Sequence, residues 1–217
     1  MLKVCGLKYP ENIKALVTVH ADFFGLIFYE KSPRFVADHL AESILEVIPK
    51  HIKKTGVFVN VNPTVIQQKL ALFQLDALQF HGSETPEEIT LFKAPNRILI
   101  KAFGVDENFD FETTASYTGV CDYFLFDTKT KNHGGSGKRF APELLEKYRE
   151  ETPFFISGGI DESILKEPHL LRHPKLAAID VNSRFELEPG LKDTKRIEIF
   201  ATQLNLIFNN EQQENSI

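Results

Sequence analysis

Short runs of β-branched and aromatic residues alternate with longer segments of helical period from one end of the chain to the other. The runs are LKVCGL (2–7), FFGLIF (23–28), KTGVFVN (54–60), ALQFH (77–81), RILIKAF (97–103), YFLFD (123–127), FFISGG (154–159) and AAIDVNS (177–183). Between them lie PENIKALVTV, VADHLAESILEVI, NPTVIQQKLALFQ, TPEEITLFKA, APELLEKYRE and, at the end, DTKRIEIFATQLNLIF. Several of these open on Pro, Asp, Asn or Thr, residues preferred at a helix cap or first turn. FETTASYTGV has the poorest helical pattern but sits where a fifth helix belongs. Alternation of β and α implies a parallel sheet, and eight such units in 217 residues close most simply into a single eight-stranded β/α barrel. The rival is an open, doubly wound sheet. Neither GxGxxG nor GxxxxGK[ST] occurs, so no dinucleotide or P-loop signature supports it. The barrel is expected over residues 1–208, followed by a polar, aperiodic tail, NNEQQENSI (209–217), expected to be disordered.

Composition narrows the function classes. The chain is 42% hydrophobic and 25% charged, ordinary for a globular protein with a packed core. A net charge of −5 argues against a general nucleic-acid surface and leaves room for a local cationic pocket. Cys5 and Cys121 lie far apart and form no CxxC or Cys/His spacing, so neither a disulfide framework nor a zinc site is expected. No segment has the length and apolarity of a membrane span, the N-terminal residues lack the apolar stretch of a signal peptide, and a cytoplasmic location is expected.

In a β/α barrel the active-site groups project from the C-terminal ends of the strands. Here those ends carry Cys5, Phe28, Asn60, Gln79 with His81, Lys101, Asp127, Gly158 with Gly159, and Asn182 with Ser183. A barrel built for stability alone has no reason to gather thiol, imidazole, carboxylate and amide at one face, where each risks burial without a partner. Taken singly, Asp127 reads as the start of a turn and Cys5 as a small buried hydrophobe. Placed together at strand ends, the carboxylate reads as a group aimed at substrate and the thiol as a proton acceptor once a cation or dipole lowers its pKa. Cys121 precedes its strand, at the other end of the barrel, and has no assigned role. SGGI (157–160) and the loop after DVNS form a candidate phosphate cradle, because Gly158 and Gly159 let the main chain approach an anion closely. Arg34, beside Pro33 in FYEKSPRFV, offers a planar fork suited to a carboxylate. Gln79 and His81 complete the candidate substrate-binding set.

The motifs KVCGL, GLIFYEKSPRFV, GVFVN, LQFHG, IKAF, LFDTK with HGGSGKRF, ISGGI and DVNSRFELEPGLKD run in order along nearly the whole barrel. In them the chain resembles phosphoribosylanthranilate isomerase, the β/α-barrel family of tryptophan biosynthesis. The resemblance implies an Amadori rearrangement of a small phosphosugar, with no cofactor, metal, nucleic acid or membrane involved. It implies that Asp127 is the general acid that opens the sugar ring and Cys5 the general base that removes the C2 proton. Arg34 corresponds to the residue facing the anthranilate carboxylate, and Gly158, Gly159, Asn182 and Ser183 to the phosphate cradle. One departure stands out: Arg184 occupies the place where the family usually has glycine. Two other readings remain at this point. A histidine-pathway phosphoribosyl isomerase would show Asp at the first strand end and a second phosphate loop in the N-terminal half. A non-catalytic phosphate-binding barrel would have no use for both Cys5 and Asp127.

Overall fold

Strand residues alternate between two environments, as the pleat requires. Phe23, Ile100, Ala102, Leu125, Phe155 and Ala178 pack into one small apolar cluster that fills the barrel. Their neighbours in sequence, among them Phe24, Phe124, Phe126, Phe154, Ile156, Ile179 and Val181, face outward into a second, larger core shared with the helices. The computed structural model describes residues 1–128 and 142–214. The loop HGGSGKRF (133–140) and the last three residues therefore lie outside the described residues.

Eight parallel strands hydrogen-bond in sequence order and close into a barrel. They are β1 (Leu2–Val4), β2 (Phe23–Ile27), β3 (Lys53–Phe58), β4 (Ala77–Phe80), β5 (Ile98–Val105), β6 (Tyr123–Thr128), β7 (Phe154–Ile156) and β8 (Leu176–Val181). Closure is made by β1 on β8, with Lys3 opposite Asp180 and Val4 opposite Val181. At the N-terminal end a device repeats. Asp22, Asp76 and Asp122 stand just before β2, β4 and β6, and each carboxylate accepts from the first amides of the preceding strand: Leu2 (2.8 Å), Lys54 (2.9 Å) and Leu99 (2.8 Å). This pins strand starts on the face opposite the site, where barrels invest in stability.

The helices begin as their sequences suggest. Proline stands in the first turn of α1 (Pro10–Leu16), α3 (Pro63–Leu72), α4 (Pro86–Thr90) and α5 (Pro168–Leu171). Thr85 and Glu88 form a reciprocal capping box on α4. α2 (Ala41–Val47) follows a single 3₁₀ turn. α6 (Thr194–Glu214) closes the chain and extends past the point where the polar tail was expected to begin. No helix among the described residues is long and apolar enough to cross a membrane.

The expected fifth helix is a 3₁₀ helix, Phe111–Tyr117. Thr113, Thr114 and Ser116 each bond a hydroxyl back to the carbonyl three residues earlier, at 2.7, 2.7 and 3.1 Å. Such local bonds compete with the α-helical ladder. The sixth segment is likewise a 3₁₀ helix over Pro142–Lys147. Beyond β8 the chain forms a hairpin that the periodicity did not suggest, β9 (Glu186–Glu188) against β10 (Leu191–Lys192), turned at Gly190 with φ of 90°.

Candidate active site

The C-terminal mouth of the barrel has two polar clusters. The first is built on β1, β2, β8 and the hairpin. Cys5 follows β1, donates its amide to the Val181 carbonyl (2.9 Å), and is buried. The next residue, Gly6, has φ of 73°, and a Cβ there would stand 2.5 Å from Asn182 Oδ1 and 2.7 Å from Arg34 Cδ. Only glycine lets these two side chains close over the strand end. Arg34 reaches in from the loop after β2 and grips Glu186 through Nε (2.9 and 3.0 Å) and Nη2 (2.6 Å). Lys192, brought back by the hairpin and fully buried, bonds the same carboxylate (2.6 Å) and Asn182 Oδ1 (2.7 Å).

Two cations therefore share one carboxylate, leaving one positive charge in excess. The ionisations reflect that crowding. Burial pushes the Glu186 carboxyl up, yet the Arg34 hydrogen bonds and the Lys192 charge outweigh it and hold the group below its ordinary value. Lys192 falls to about 8, chiefly through burial and against the pull of Glu186, with Arg34 adding repulsion. A locally cationic pocket inside a chain of net charge −5 suits an anionic ligand.

The second cluster is built on β4, β6 and β7. Asp127, near the end of β6, faces His81 Nε2 across 3.3 Å, and both side chains keep about three-tenths of their surface open. Gln79 Nε2 lies 3.0 Å from His81 Nδ1. With Gln79 donating, the imidazole proton stays on Nε2 and points at Asp127. Gln79 Oε1 is buried without a partner among the described residues, so the imidazole alone holds the amide. Gly158 and Gly159, past β7, have φ of 89° and 64°. A Cβ at Gly158 would fall 2.4 Å from Thr128 N and 2.6 Å from Asp127 Oδ1. Gly158→Val is accordingly expected to displace the carboxylate as well as the loop, lowering both affinity and turnover, the latter by about 10²-fold. Equilibrium titration together with single-turnover kinetics checks both halves.

Between the two clusters, inside the barrel, lie Lys3 and Asp180 in a buried ion pair of 3.0 Å. Neither these nor Glu186 and Lys192 were singled out from sequence. The available signal was a lysine in the apolar run of β1 and an aspartate in that of β8, each two residues before a candidate site residue.

Other strand-end residues serve structure. Lys101 points outward and bonds Glu84 (3.0 Å) and the Gly82 carbonyl (2.7 Å). The same Glu84 accepts from the Asn60 and Gly82 amides at 2.7 and 2.9 Å, tying the segments after β3 and β4 to the middle of β5. Phe28 packs on Phe58 and Phe73 in the outer core. Cys121 is buried outside the barrel, and burial drives its thiol up to about 12. The Arg184 carbonyl accepts from Arg196, which also grips Glu162, so its loop is tied to the segment after β7. Among the described residues no three His, Cys, Asp or Glu side chains are arranged to hold a metal ion.

A closed parallel barrel with acid, thiol and cationic groups converging at its carboxyl-terminal mouth is an enzyme of the eight-stranded β/α class. A family model described as N-(5'-phosphoribosyl)anthranilate isomerase matches residues 2–203. The chain belongs to the N-(5'-phosphoribosyl)anthranilate isomerase family. It is 42% identical to the isomerase of Parabacteroides distasonis, an alignment covering 94% of this chain and 93% of that one. It is 41% identical to that of Phocaeicola vulgatus over 94% and 97% of the two chains. Among solved structures, that of the Thermotoga maritima isomerase superposes with a TM-score of 0.81 at 32% identity, covering 94% of this chain and 99% of that one. A phosphoribosyl anthranilate isomerase in complex with reduced 1-(o-carboxyphenylamino)-1-deoxyribulose 5-phosphate superposes at 0.78 with 29% identity, over 94% and 99%.

Proposed function

We propose that the family's reaction in tryptophan biosynthesis, the Amadori isomerisation of N-(5-phosphoribosyl)anthranilate, is carried in this chain by Asp127 as general acid and Cys5 as general base. The observation that carries this reading is their placement: the carboxyl and the thiol stand at the ends of β6 and β1, in separate polar clusters of one mouth. Asp127 gives its proton to the ring oxygen, the C1–O bond breaks, and the nitrogen lone pair forms the iminium. The Cys5 thiolate then takes the C2 proton. The C–H electron pair becomes the C1–C2 double bond, the iminium electrons return to nitrogen, and the enolamine tautomerises to 1-(2-carboxyphenylamino)-1-deoxyribulose 5-phosphate. No atom is gained or lost. His81 steers the Asp127 carboxylate, and Gln79 sets the tautomer with which it does so.

The anthranilate carboxylate is assigned to Arg34. Glu186 fixes the guanidinium plane through Nε and Nη2, leaving Nη1 for the substrate. The phosphate is assigned to the backbone at Gly158, Gly159 and Asn182–Ser183, with Lys192 setting the Asn182 side chain. A cytoplasmic location belongs to the same reading, supported by two unpaired thiols.

Loss of fluorescence on incubating the purified chain with phosphoribosylanthranilate tests the reaction directly; absence of conversion contradicts it. Arg34→Ala is expected to weaken binding of the reduced product analogue by about 10- to 100-fold while leaving inorganic phosphate binding nearly intact. An equal loss of both ligands would move Arg34 to the phosphate end.

A further inference from the structure

Lys3 and Asp180 have no part in the steps above, yet they occupy the interior directly beneath the proposed base. Lys3 is 0% exposed and Asp180 4% exposed, and the register of β1 on β8 sets them opposite one another. Lys3 and Cys5 are two residues apart on one extended segment, so both face inward, with Cys5 nearer the mouth. A buried ion pair is a poor source of stability, because desolvation offsets much of its attraction. The neighbouring interior positions, Phe23, Leu125 and Phe155, show that apolar side chains fill this barrel. The pair therefore has a reason beyond packing.

We propose that Lys3 and Asp180 are positioning residues for Cys5, the Lys3 ammonium pairing with the Asp180 carboxylate while Cys5 is a thiol and with the Cys5 thiolate once the proton has moved to Asp180. The proposal rests on Cys5 being the base. In the step proposed, an N–H bond of Lys3 breaks as an O–H bond forms on Asp180, and the lysine nitrogen freed in this way takes the proton from the S–H bond of Cys5. The interior then holds one cation and one anion both before and after, so thiolate formation adds no buried charge. Without Lys3 the same ionisation would place a lone anion in the barrel.

The electrostatics of the site run in this sense. Burial raises the Cys5 thiol, the Lys3 charge opposes that rise, Asp180 adds to it, and Lys192 on β10 opposes it more weakly. Burial also raises the Asp180 carboxyl against the pull of Lys3, with Asp127 raising it further and His81 lowering it. That makes Asp180 a better proton acceptor than a solvated aspartate. From β2 the thiol faces Gly25, where a Cβ would stand 2.7 Å from the sulfur. Arg34, beyond Gly6, and Glu186, which pairs with both Arg34 and Lys192, also face this strand end.

The test is the pH dependence of Cys5 modification by a small thiosulfonate, read by mass spectrometry on the Cys5 peptide. Cys121 reports on a separate peptide. Lys3→Met combined with Asp180→Asn removes both charges and leaves no unpaired ion, which protects folding. In that double variant the Cys5 ionisation is expected to move up by about one pH unit or more, a roughly ten-fold change in its ionisation constant. In Asp180→Asn alone, the undivided Lys3 charge is expected to move it down. A packing role would not give opposite shifts, so movement in the same direction, or none, overturns the proposal. Modification does not require turnover. If Cys5→Ser were fully active, the base assignment would fall while the ionisation result stood.

Discussion

Asp127→Asn is expected to bind substrate and fail to convert it. The amide has the shape of the carboxyl and can still accept from His81 Nε2, so the mouth keeps its geometry and the cradle at Gly158 keeps its neighbour. What the amide lacks is a proton to place on the ring oxygen. General-acid removal commonly costs about 10²- to 10⁴-fold. Equilibrium titration should give an affinity near that of the parent, while the single-turnover rate falls by that factor. Conversion of bound substrate at the parent rate would make the acid assignment wrong.

Cys5→Ser is the counterpart at the other side of the mouth. The thiol is buried, and a Cβ built on Gly25 would lie 2.7 Å from its sulfur, so the smaller hydroxyl fits the space without strain. Serine is a far weaker base near neutrality, and turnover should fall by about 10²- to 10⁴-fold with thermal stability little changed. The structure adds a reason for the size of the effect. In a buried site the thiolate depends on the neighbouring Lys3 charge, and a serine hydroxyl in its place would remain protonated. An unchanged rate would remove Cys5 from the mechanism.

The strands were legible because each apolar run is short, bounded by polar residues and repeated eight times, and each predicted run contains most of the observed strand. Helix type was less legible. In FETTASY the hydroxyls of Thr113, Thr114 and Ser116 settle the matter by bonding back to the chain, an effect that apolar period does not register. The same limit applies to the site. Cys5, Arg34 and Asp127 could be read one at a time, since each stands at the end of a recognisable strand or in the loop after it. Their partners could not. Glu186 and Lys192 meet Arg34 and Asn182 only because a two-stranded hairpin folds the chain back over the mouth. Lys3 meets Asp180 only because β1 closes on β8 in one register. Asn60 and Lys101 show the opposite: both read as strand ends in sequence, yet Lys101 lies inside β5, which runs on to Val105, and both belong to the Glu84 knot on the outside of the barrel. A strand end marks a position, and the side chain's direction is decided by its partner.

The most direct test of the proposed acid and base is a crystal structure of this chain with reduced 1-(o-carboxyphenylamino)-1-deoxyribulose 5-phosphate, the ligand found in a related isomerase. The expected result has the phosphate on the backbone of Gly158 and Gly159 and of the Asn182–Ser183 turn, the carboxylate on Arg34, and the sugar carbons between Asp127 and Cys5, with the sulfur against C2. A complex with the phosphate on Arg34, or with C2 out of reach of the Cys5 sulfur, would contradict it.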